Sequence, residues 1–506
     1  MIFKIIPHNH PLPSEGRNTA YLKPDDWNDY HYQTMFHLAI YDGSSNFIEI
    51  GSVKIGFKGQ TPTTPTRDVM ITPLKSLEPS FFSMGAEADY YKQLAKLPQK
   101  YRQKILTSLR DVVFDRDILK TALDEDVFNT SLMRFSSLTA IKFDYSRILD
   151  GSEPLTDFKF TYQRTRTPEK GPIELRFEVG KNDLPSTNIH ALIGRNGSGK
   201  TTLLNDMTQA ITHKNNNQSR FIDNDFLDEP ISDDYFGHLV SVSFSAFDPF
   251  PPPEDQPDVK KGTCYKYIGL KDQKREDRLK NIKELQKEAL EALEECLRNS
   301  GKRARWSSAI NGLETDINFS EMNLKSLLET KPEEIEDRAL DAMASMSSGH
   351  AIVFITITNL IAYVGLKTLV LIDEPESHLH PPLLSAFIRA LSNLLKDQNG
   401  VAIIATHSPV VLQEVPRCCV WTITRFQQET NIRRPRTESF GKNVGTLTRD
   451  IFGLEVTTSG FHQLIKELAI EESTYKDALN RLDSNLGLEG RSILKTLMHE
   501  KEKYSK

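Results

Sequence analysis

The sequence has few cysteines, no long apolar run and no excess of basic charge. Four cysteines in 506 residues, Cys264, Cys296, Cys418 and Cys419, have no zinc-like spacing and are too few for a disulfide scaffold, which favours a reducing, cytoplasmic location. The longest apolar stretch, 351–364, is shorter than the roughly 20 residues of a membrane span, so we expect no membrane contact. A net charge of -6 means that the protein as a whole would not attract nucleic acid, so any contact with nucleic acid would have to come from a local basic patch.

Alternating and helical patterns predict the secondary structure of the N-terminal part. Residues 35–41 and 47–57 alternate apolar and polar side chains around a polar turn, which predicts a β-hairpin. Apolar residues at helical spacing from Tyr101 onward predict a helix that ends near Phe114. We therefore expect an α+β region of unknown role over residues 1–150.

A different pattern, of short apolar strands alternating with helices, begins after residue 150. Two strands are expected between Phe158 and Val179. Further buried strands are predicted at 189–193, 239–244, 368–372, 401–405 and 420–424, with a helix at 382–396. This alternation is typical of an α/β fold with a mostly parallel sheet and flanking helices. A proline-rich loop at 249–257 and a charged segment at 271–302, which is one helix or a helical hairpin, interrupt it.

The segment Gly194–Thr201 matches the pattern G-x-x-x-x-G-K-[ST] between an apolar strand and a helical stretch. Its glycines allow successive backbone N–H groups to face phosphate oxygens at a helix N-terminus. Lys200 is expected to bridge the outer phosphates, and the Thr201 hydroxyl to hold Mg²⁺. The predicted phosphate-binding residues are Asn196, Gly197, Ser198, Gly199, Lys200, Thr201 and Thr202.

Two further segments carry candidate functional groups. The apolar strand 368–372 ends in Asp373, a candidate Mg²⁺ ligand, and Glu374, a candidate general base for the attacking water. The cluster Ser347–Gly349 precedes an apolar helix, and taken alone it would be a helix N-cap.

The order of these motifs resembles the ABC-type ATPase superfamily. Met346–His350 is similar to the LSGGQ signature of that family, and His407, after the strand 401–405, is similar to its switch histidine. The resemblance implies an ABC-type P-loop NTPase head that binds ATP and Mg²⁺ and hydrolyses ATP with Lys200, Glu374 and His407. It also implies a head-to-tail dimer, in which Ser347, Ser348 and Gly349 of one copy contact the γ-phosphate held by the other. The sequence departs from transporter ATPases after the strand 239–244, where Ser245 or Asp248 stands in place of a glutamine.

The loop Glu374–Pro382 is similar to the EPExHLHP loop of OLD-like and RecF-like bacterial ATPases. Its two histidines, His378 and His380, could bind a metal or shape the loop. The fewer than 100 residues after Pro409 contain no Asp-x-Asp pair, so we expect no nuclease site in this chain. The remaining resemblance is to the Septu and retron ATPases (PtuA group) of anti-phage defence, with softer matches that include 447–453. It implies a separate HNH nuclease subunit as partner. A DNA or phage-derived trigger and an assembly larger than a dimer are open alternatives.

Five segments summarise the expected organisation. They are the α+β region 1–150, an ATPase lobe with the phosphate loop (151–248), a loop and helical insertion (249–344), an ATPase lobe with the signature, acidic strand and switch histidine (345–425), and a mostly helical segment (426–506). The basic segments 302–306 and 433–436 are expected to be solvated loops, with phosphate contact as the alternative. Two alternative functions stay open, an ATP-sensing scaffold with negligible turnover and a RecF-like or SMC-like DNA repair clamp.

Overall fold

Three β-sheets organise the part of the chain that the computed structural model describes. The described residues are 1–26, 31–134, 136, 138, 140–151, 156–167, 170–213, 218–225, 228–232, 235–258, 261–275, 278–426, 429–452, 460–482 and 485–504. Within these ranges, no helix combines the length and the apolar character that crossing a membrane requires.

The first sheet lies in the N-terminal region and has five strands. In both chain and spatial order they are β1 (Ile2–Ile5), β2 (Thr19–Pro24), β3 (Met35–Tyr41), β4 (Phe47–Phe57) and β5 (Phe81–Gly85). β1 and β2 are parallel, and the other neighbours are antiparallel. The predicted hairpin of β3 and β4 is confirmed, and the Asp42 carboxylate closes its turn by accepting hydrogen bonds from the N–H groups of Ser44 and Asn46.

Short helices accompany this sheet. They are α1 (Thr66–Val69), α2 (Ala88–Lys96), α3 (Gln99–Ser108), α4 (Arg116–Ala122) and α5 (Tyr145–Leu149). The prediction that α3 continues to near Phe114 is wrong. Arg110 adopts a left-handed φ of 53°, and Asp111 then accepts hydrogen bonds from the N–H groups of Val113 and Phe114, which builds a turn. Val113 is nevertheless buried, so its apolar spacing indicates burial and not the length of the helix.

The second sheet is antiparallel. Its spatial order is β10-β9-β6-β7, with β6 (Phe158–Arg164), β7 (Ile173–Val179), β9 (Ser219–Asp223) and β10 (Glu229–Pro230). The two strands expected between Phe158 and Val179 are thus confirmed. Their inward aromatic residues, such as Phe160 and Phe177, share a core with strands of the third sheet.

The third, central sheet has seven strands in the order β12-β11-β13-β14-β8-β15-β16. Their bounds are β8 (Ile189–Ile193), β11 (His238–Ser243), β12 (Cys264–Gly269), β13 (Thr368–Asp373), β14 (Val401–Thr406), β15 (Val420–Phe426) and β16 (Glu429–Arg433). All neighbours are parallel except β15 and β16. The five buried strands that the sequence predicts are confirmed, with ends that differ by one or two residues. The segment 249–344 also contributes β12, an edge strand that the sequence analysis does not predict.

Helices cover both faces of the central sheet. α6 (Lys200–Thr212) shares the core of the second sheet, and the opposite core is formed mainly by helices that we call the helical lobe. The lobe and its extensions consist of α7 (Ile282–Arg298), α8 (Ser300–Leu313), α9 (Ile317–Glu321), α10 (Ile335–Ser345), α11 (Ser348–Tyr363), α12 (Pro381–Asp397) and α13 (Pro409–Gln413). Of the two alternatives for residues 271–302, the break between α7 and α8 favours the hairpin. Asn299 creates that break, because its side chain accepts hydrogen bonds from the N–H groups of Gly301 and Lys302.

The basic segment 302–306 is not a solvated loop, and that prediction is wrong. Lys302 and Trp306 lie on the buried face of α8, with 2% and 0% of their surfaces exposed. Lys302 Nζ lies 2.6 Å from a Glu295 carboxylate oxygen and 3.1 Å from one of Glu87, and it donates to the Ala362 carbonyl at 2.9 Å. The interdomain ion cluster is defined by Lys302, Arg305, Glu87, Asp89, Glu295 and Asp397.

The C-terminal part is mostly helical. Its helices are α14 (Val444–Phe452), α15 (Phe461–Glu471), α16 (Tyr475–Arg481) and α17 (Leu488–Tyr504). α14 packs against α13, and α15 to α17 bury a small core of their own. Gly453, the last residue of the softer match at 447–453, lies outside the described residues.

Candidate functional site

The carboxyl ends of four parallel strands meet at one edge of the central sheet, where the site lies. The phosphate loop follows β8, Asp248 follows β11, Asp373 ends β13, and His407 follows β14. Glu374 comes directly after Asp373. The sheet therefore brings together groups that are more than 200 residues apart in the sequence.

The phosphate loop requires glycine at three places for different reasons. At Gly194, a Cβ atom would lie 2.2 Å from the Ile423 carbonyl oxygen, so a side chain has no room. Gly197 and Gly199 have φ angles of 79° and 92°, in the left-handed region that favours glycine. Around them, Asn196 and Ser198 lie in the loop, and Lys200, Thr201 and Thr202 form the first turn of α6. All the predicted phosphate-binding residues thus surround one helix N-terminus, which favours an anion.

Lys200 is the buried cation of this loop. Its Nζ atom donates hydrogen bonds to the carbonyl oxygens of Gly194 at 3.0 Å and Arg195 at 3.2 Å. Burial lowers the pKa of Lys200, and the negative charges of Glu374 and Asp373 act in the opposite direction. A phosphate group in the loop would give this ammonium an anionic partner in addition to neutral carbonyl groups.

Asp373 has the environment of a cation ligand. Burial raises its pKa to about 7, supported by the charges of Glu374 and Asp248 and opposed by a hydrogen bond from the Thr201 hydroxyl. Among the described residues, its buried Oδ1 atom has no hydrogen-bond partner. The Thr201 hydroxyl and the Asp373 carboxylate fit a Mg²⁺ ion, because Mg²⁺ prefers oxygen ligands and would neutralise the charge of the carboxylate.

Asp248 is the better placed of the two residues considered in place of a glutamine. It lines the same cavity as Thr201 and Asp373, whereas Ser245 is not among the lining residues. Asp248 Oδ1 lies 4.0 Å from Lys271 Nζ and accepts a hydrogen bond from the Phe250 N–H at 2.9 Å. These contacts hold the Asp248 carboxylate at the site.

Glu374 and His407 lie side by side. Glu374 adopts a left-handed φ of 45°, and its N–H donates to the Ala405 carbonyl at 2.9 Å. One of its carboxylate oxygens lies 3.6 Å from His407 Nδ1, and about a quarter of the side chain is exposed. The Glu374 carboxylate is therefore held beside His407 and remains partly open to solvent.

Glu376 is a functional candidate that the sequence analysis missed. Its Oε1 atom accepts hydrogen bonds from the Thr406 hydroxyl (2.7 Å), the His407 N–H (2.6 Å) and the Ser408 N–H (3.1 Å). The same oxygen lies 3.1 Å from His407 Nδ1. This buried carboxylate thus fixes the loop that carries His407. In the sequence, the second glutamate of Glu374-Pro375-Glu376 is the feature that could have indicated this residue.

The signature segment caps the longest apolar helix of the lobe. Ser347 is the N-cap of α11, and its Oγ atom accepts a hydrogen bond from the His350 N–H. Ser347 and Ser348 are exposed, and Gly349 is buried. A Cβ atom at Gly349 would lie 2.4 Å from the His378 carbonyl oxygen, so this glycine permits close contact between the signature and the loop after β13.

The contacts of His378 and His380 fit the loop-shaping alternative. The His378 backbone packs against Gly349, and His380 Nε2 lies 3.0 Å from Asp316 Oδ2. No group of three or more metal-binding side chains occurs in the described part of the chain.

These features give the chain the fold of an ABC-type P-loop NTPase head, with a glycine-rich loop after β8, an acidic strand end two strands away and the capped helix α11. A family model described as "AAA domain, putative AbiEii toxin, Type IV TA system" matches residues 326–413, which include the signature, β13 and His407.

The chain belongs to the family of protein ea59 of Escherichia phage lambda. The two are 45% identical over 519 residues, which cover 99% of this chain and 98% of the phage protein. Solved structures with some similarity include an SMC head domain from Thermotoga maritima (11% identity, 56% of this chain and 100% of that one, TM-score 0.31). Another is cbiO1 from Clostridium perfringens, part of an ABC transporter complex (13% identity, 62% and 96%, TM-score 0.30).

Proposed function

We propose that this protein hydrolyses ATP to ADP and phosphate with Mg²⁺, and that ATP joins two copies head to tail. The observation that carries the proposal is the convergence of Lys200, Thr201, Asp373, Glu374 and His407 at one sheet edge. Thr201 and Asp373 would hold Mg²⁺, and Lys200 would bind the outer phosphates. Glu374 would take the proton of the attacking water, and His407 would contact the γ-phosphate.

The exposure of the signature supports a dimer. Ser347 and Ser348 lie at the N-terminus of α11, a 16-residue helix, where they are open to a second molecule. The N–H groups of this turn and the serine hydroxyl groups suit a phosphate oxygen. Each copy would therefore supply Ser347, Ser348 and Gly349 to the nucleotide held by the phosphate loop of the other, which makes the association depend on the γ-phosphate.

A glutamine substitution at Glu374 tests this proposal. E374Q keeps the size of the side chain but cannot accept the proton, so ATP turnover should fall at least about a hundredfold while ATP-bound dimers accumulate. Phosphate release and light scattering after gel filtration measure the two effects. The matched control is E333Q, at an exposed glutamate outside the site. Unchanged turnover in E374Q would contradict the role of the base, and negligible turnover in the wild type with tight ATP binding would favour a sensing scaffold.

We further propose that nucleotide state in this dimer controls a separate HNH nuclease subunit in defence against phages. The softer sequence resemblance of residues 81–85, 242–250 and 447–453 to defence ATPases of the Septu group supports this proposal. Co-purification with the product of a neighbouring HNH reading frame, compared in ATP and in ADP, tests it. Salt-dependent DNA binding by the chain alone, lost when Arg433 and Arg436 are neutralised, would instead favour a repair clamp. Arg434 would be a poor choice for that test, because it stacks 3.5 Å from the centre of the Trp421 ring.

A further inference from the structure

A chain of hydrogen-bonding groups runs from the signature serine into the protein. Ser347 Oγ lies 2.6 Å from His350 Nδ1, and His350 Nε2 lies 3.1 Å from Asp316 Oδ1. His380 Nε2 lies 3.0 Å from the other oxygen of Asp316. The Asp316 and His350 side chains are each only 9% exposed, whereas Ser347 is exposed. The catalytic groups at the sheet edge take no part in this chain.

The positions of the protons follow from the carboxylate. Burial by itself would raise the pKa of Asp316, but hydrogen bonds from the Phe319 N–H, His350 and His380 outweigh burial, and the pKa is lowered. Ionised Asp316 can only accept hydrogen bonds, so Nε2 of both histidines must carry a proton. A neutral His350 then has a lone pair on Nδ1, and the Ser347 hydroxyl must donate its hydrogen to that atom.

This arrangement decides what Ser347 can offer to a phosphate. With neutral His350, the hydroxyl hydrogen points to the ring, one oxygen lone pair accepts the His350 N–H, and the other faces outward. Phosphate oxygens are acceptors, so they gain no hydrogen bond from this hydroxyl. With protonated His350, Nδ1–H donates to Ser347 Oγ, and the hydroxyl hydrogen is free to point to a phosphate oxygen.

We propose that His350, oriented by Asp316, is a positioning residue that makes capture of the γ-phosphate by Ser347 require one additional proton at each site. The inference rests on the proposed function, because the phosphate is the one bound by the second copy. The titratable groups that face His350 among the described residues are Asp316, from the turn before α9, and His380, from the residue before α12. Phe319 packs beside the ring and does not titrate.

The dimer formed by ATP should therefore weaken as the pH rises. In the E374Q background, which stops turnover, we expect the dissociation constant to increase about tenfold for each of the two sites when His350 loses its proton. H350Q should flatten this profile, because a glutamine amide gains and loses no proton in this pH range. Glutamine is also the residue of the LSGGQ signature that this segment resembles. H380Q is the matched control, because His380 contacts the same carboxylate and not Ser347, so its profile should follow that of the parent.

Analytical ultracentrifugation with ATP and Mg²⁺ at several pH values measures these constants. A pH dependence that survives in H350Q, or that disappears in H380Q, overturns the inference while the dimer itself stands. Absence of dimers at every pH would overturn the proposed function instead. Nitrogen NMR of the nucleotide-free protein labelled at histidine, with H350Q for assignment, gives a readout that needs no dimer. In its neutral form, His350 should carry its proton on Nε2, and a proton on Nδ1 would refute the arrangement.

Discussion

Replacement of Glu376 by alanine should loosen the loop that carries His407. The carboxylate oxygen Oε1 receives three hydrogen bonds, from the Thr406 hydroxyl and from the N–H groups of His407 and Ser408. The Ser408 N–H has a second acceptor in Thr406 Oγ1, at 2.9 Å, so two donors lose a partner in E376A. Each buried donor left without a partner costs about 1–3 kcal/mol, so unfolding by urea should show a loss of about 3 kcal/mol.

The glutamine variant separates geometry from charge. In E376Q, the amide oxygen can take the place of Oε1 and accept all three hydrogen bonds. We therefore expect E376Q to remain within about 1 kcal/mol of the wild type in the free energy of unfolding. ATP turnover should fall in E376A, because His407 loses its support, and it should fall much less in E376Q. An E376A protein as stable as the wild type, or an E376Q protein as unstable as E376A, would refute the reasoning.

Two further predictions concern Gly349 and Asp111. G349A should destabilise the fold by about 2 kcal/mol and abolish ATP-driven dimers, because its Cβ would press on the His378 carbonyl. The control G312A lies on an open part of α8 and should be neutral or stabilising in the same unfolding and light-scattering assays. Equal losses in both variants would contradict this contact. Burial raises the pKa of Asp111 to about 7, so the folded protein retains a proton that the unfolded chain releases near pH 4. The free energy of unfolding should therefore increase by up to about 1.4 kcal/mol per pH unit as the pH falls from 7 to 5. D111N should remove the contribution of Asp111 from the slope in urea unfolding, whereas Asp373, whose pKa is also raised to about 7, keeps its own contribution. An unchanged slope would assign it to other groups.

Local motifs were enough to predict the centre of the site. The phosphate loop is one continuous segment, so the spacing of its glycines and lysine alone is enough to predict a phosphate-binding role. Asp373 and Glu374 end an apolar strand, and parallel strands place such ends at a common edge. The mostly parallel sheet and its buried strands could likewise be predicted, because strands buried on both faces read as continuous apolar runs.

What could not be predicted depends on contacts between distant residues. Lys302 and Arg305 read as a solvated basic run, because the sequence does not reveal that Glu87 lies next to them. The long methylene stems of such residues can lie in a core when carboxylates pair with their charged ends. Asp316 was missed for a similar reason, since its partners His350 and His380 are brought to it by two other helices.

The interdomain ion cluster connects the N-terminal region to the helical lobe. Lys302 joins Glu87, next to α2, to the Ala362 carbonyl near the end of α11, whose other end carries Ser347. Pulling these elements apart would leave several charges in the interior without partners, at a cost of several kcal/mol for each ion. A tilt of α11 on contact with a second molecule would therefore displace Lys302 and, through Glu87, the N-terminal region that carries α2.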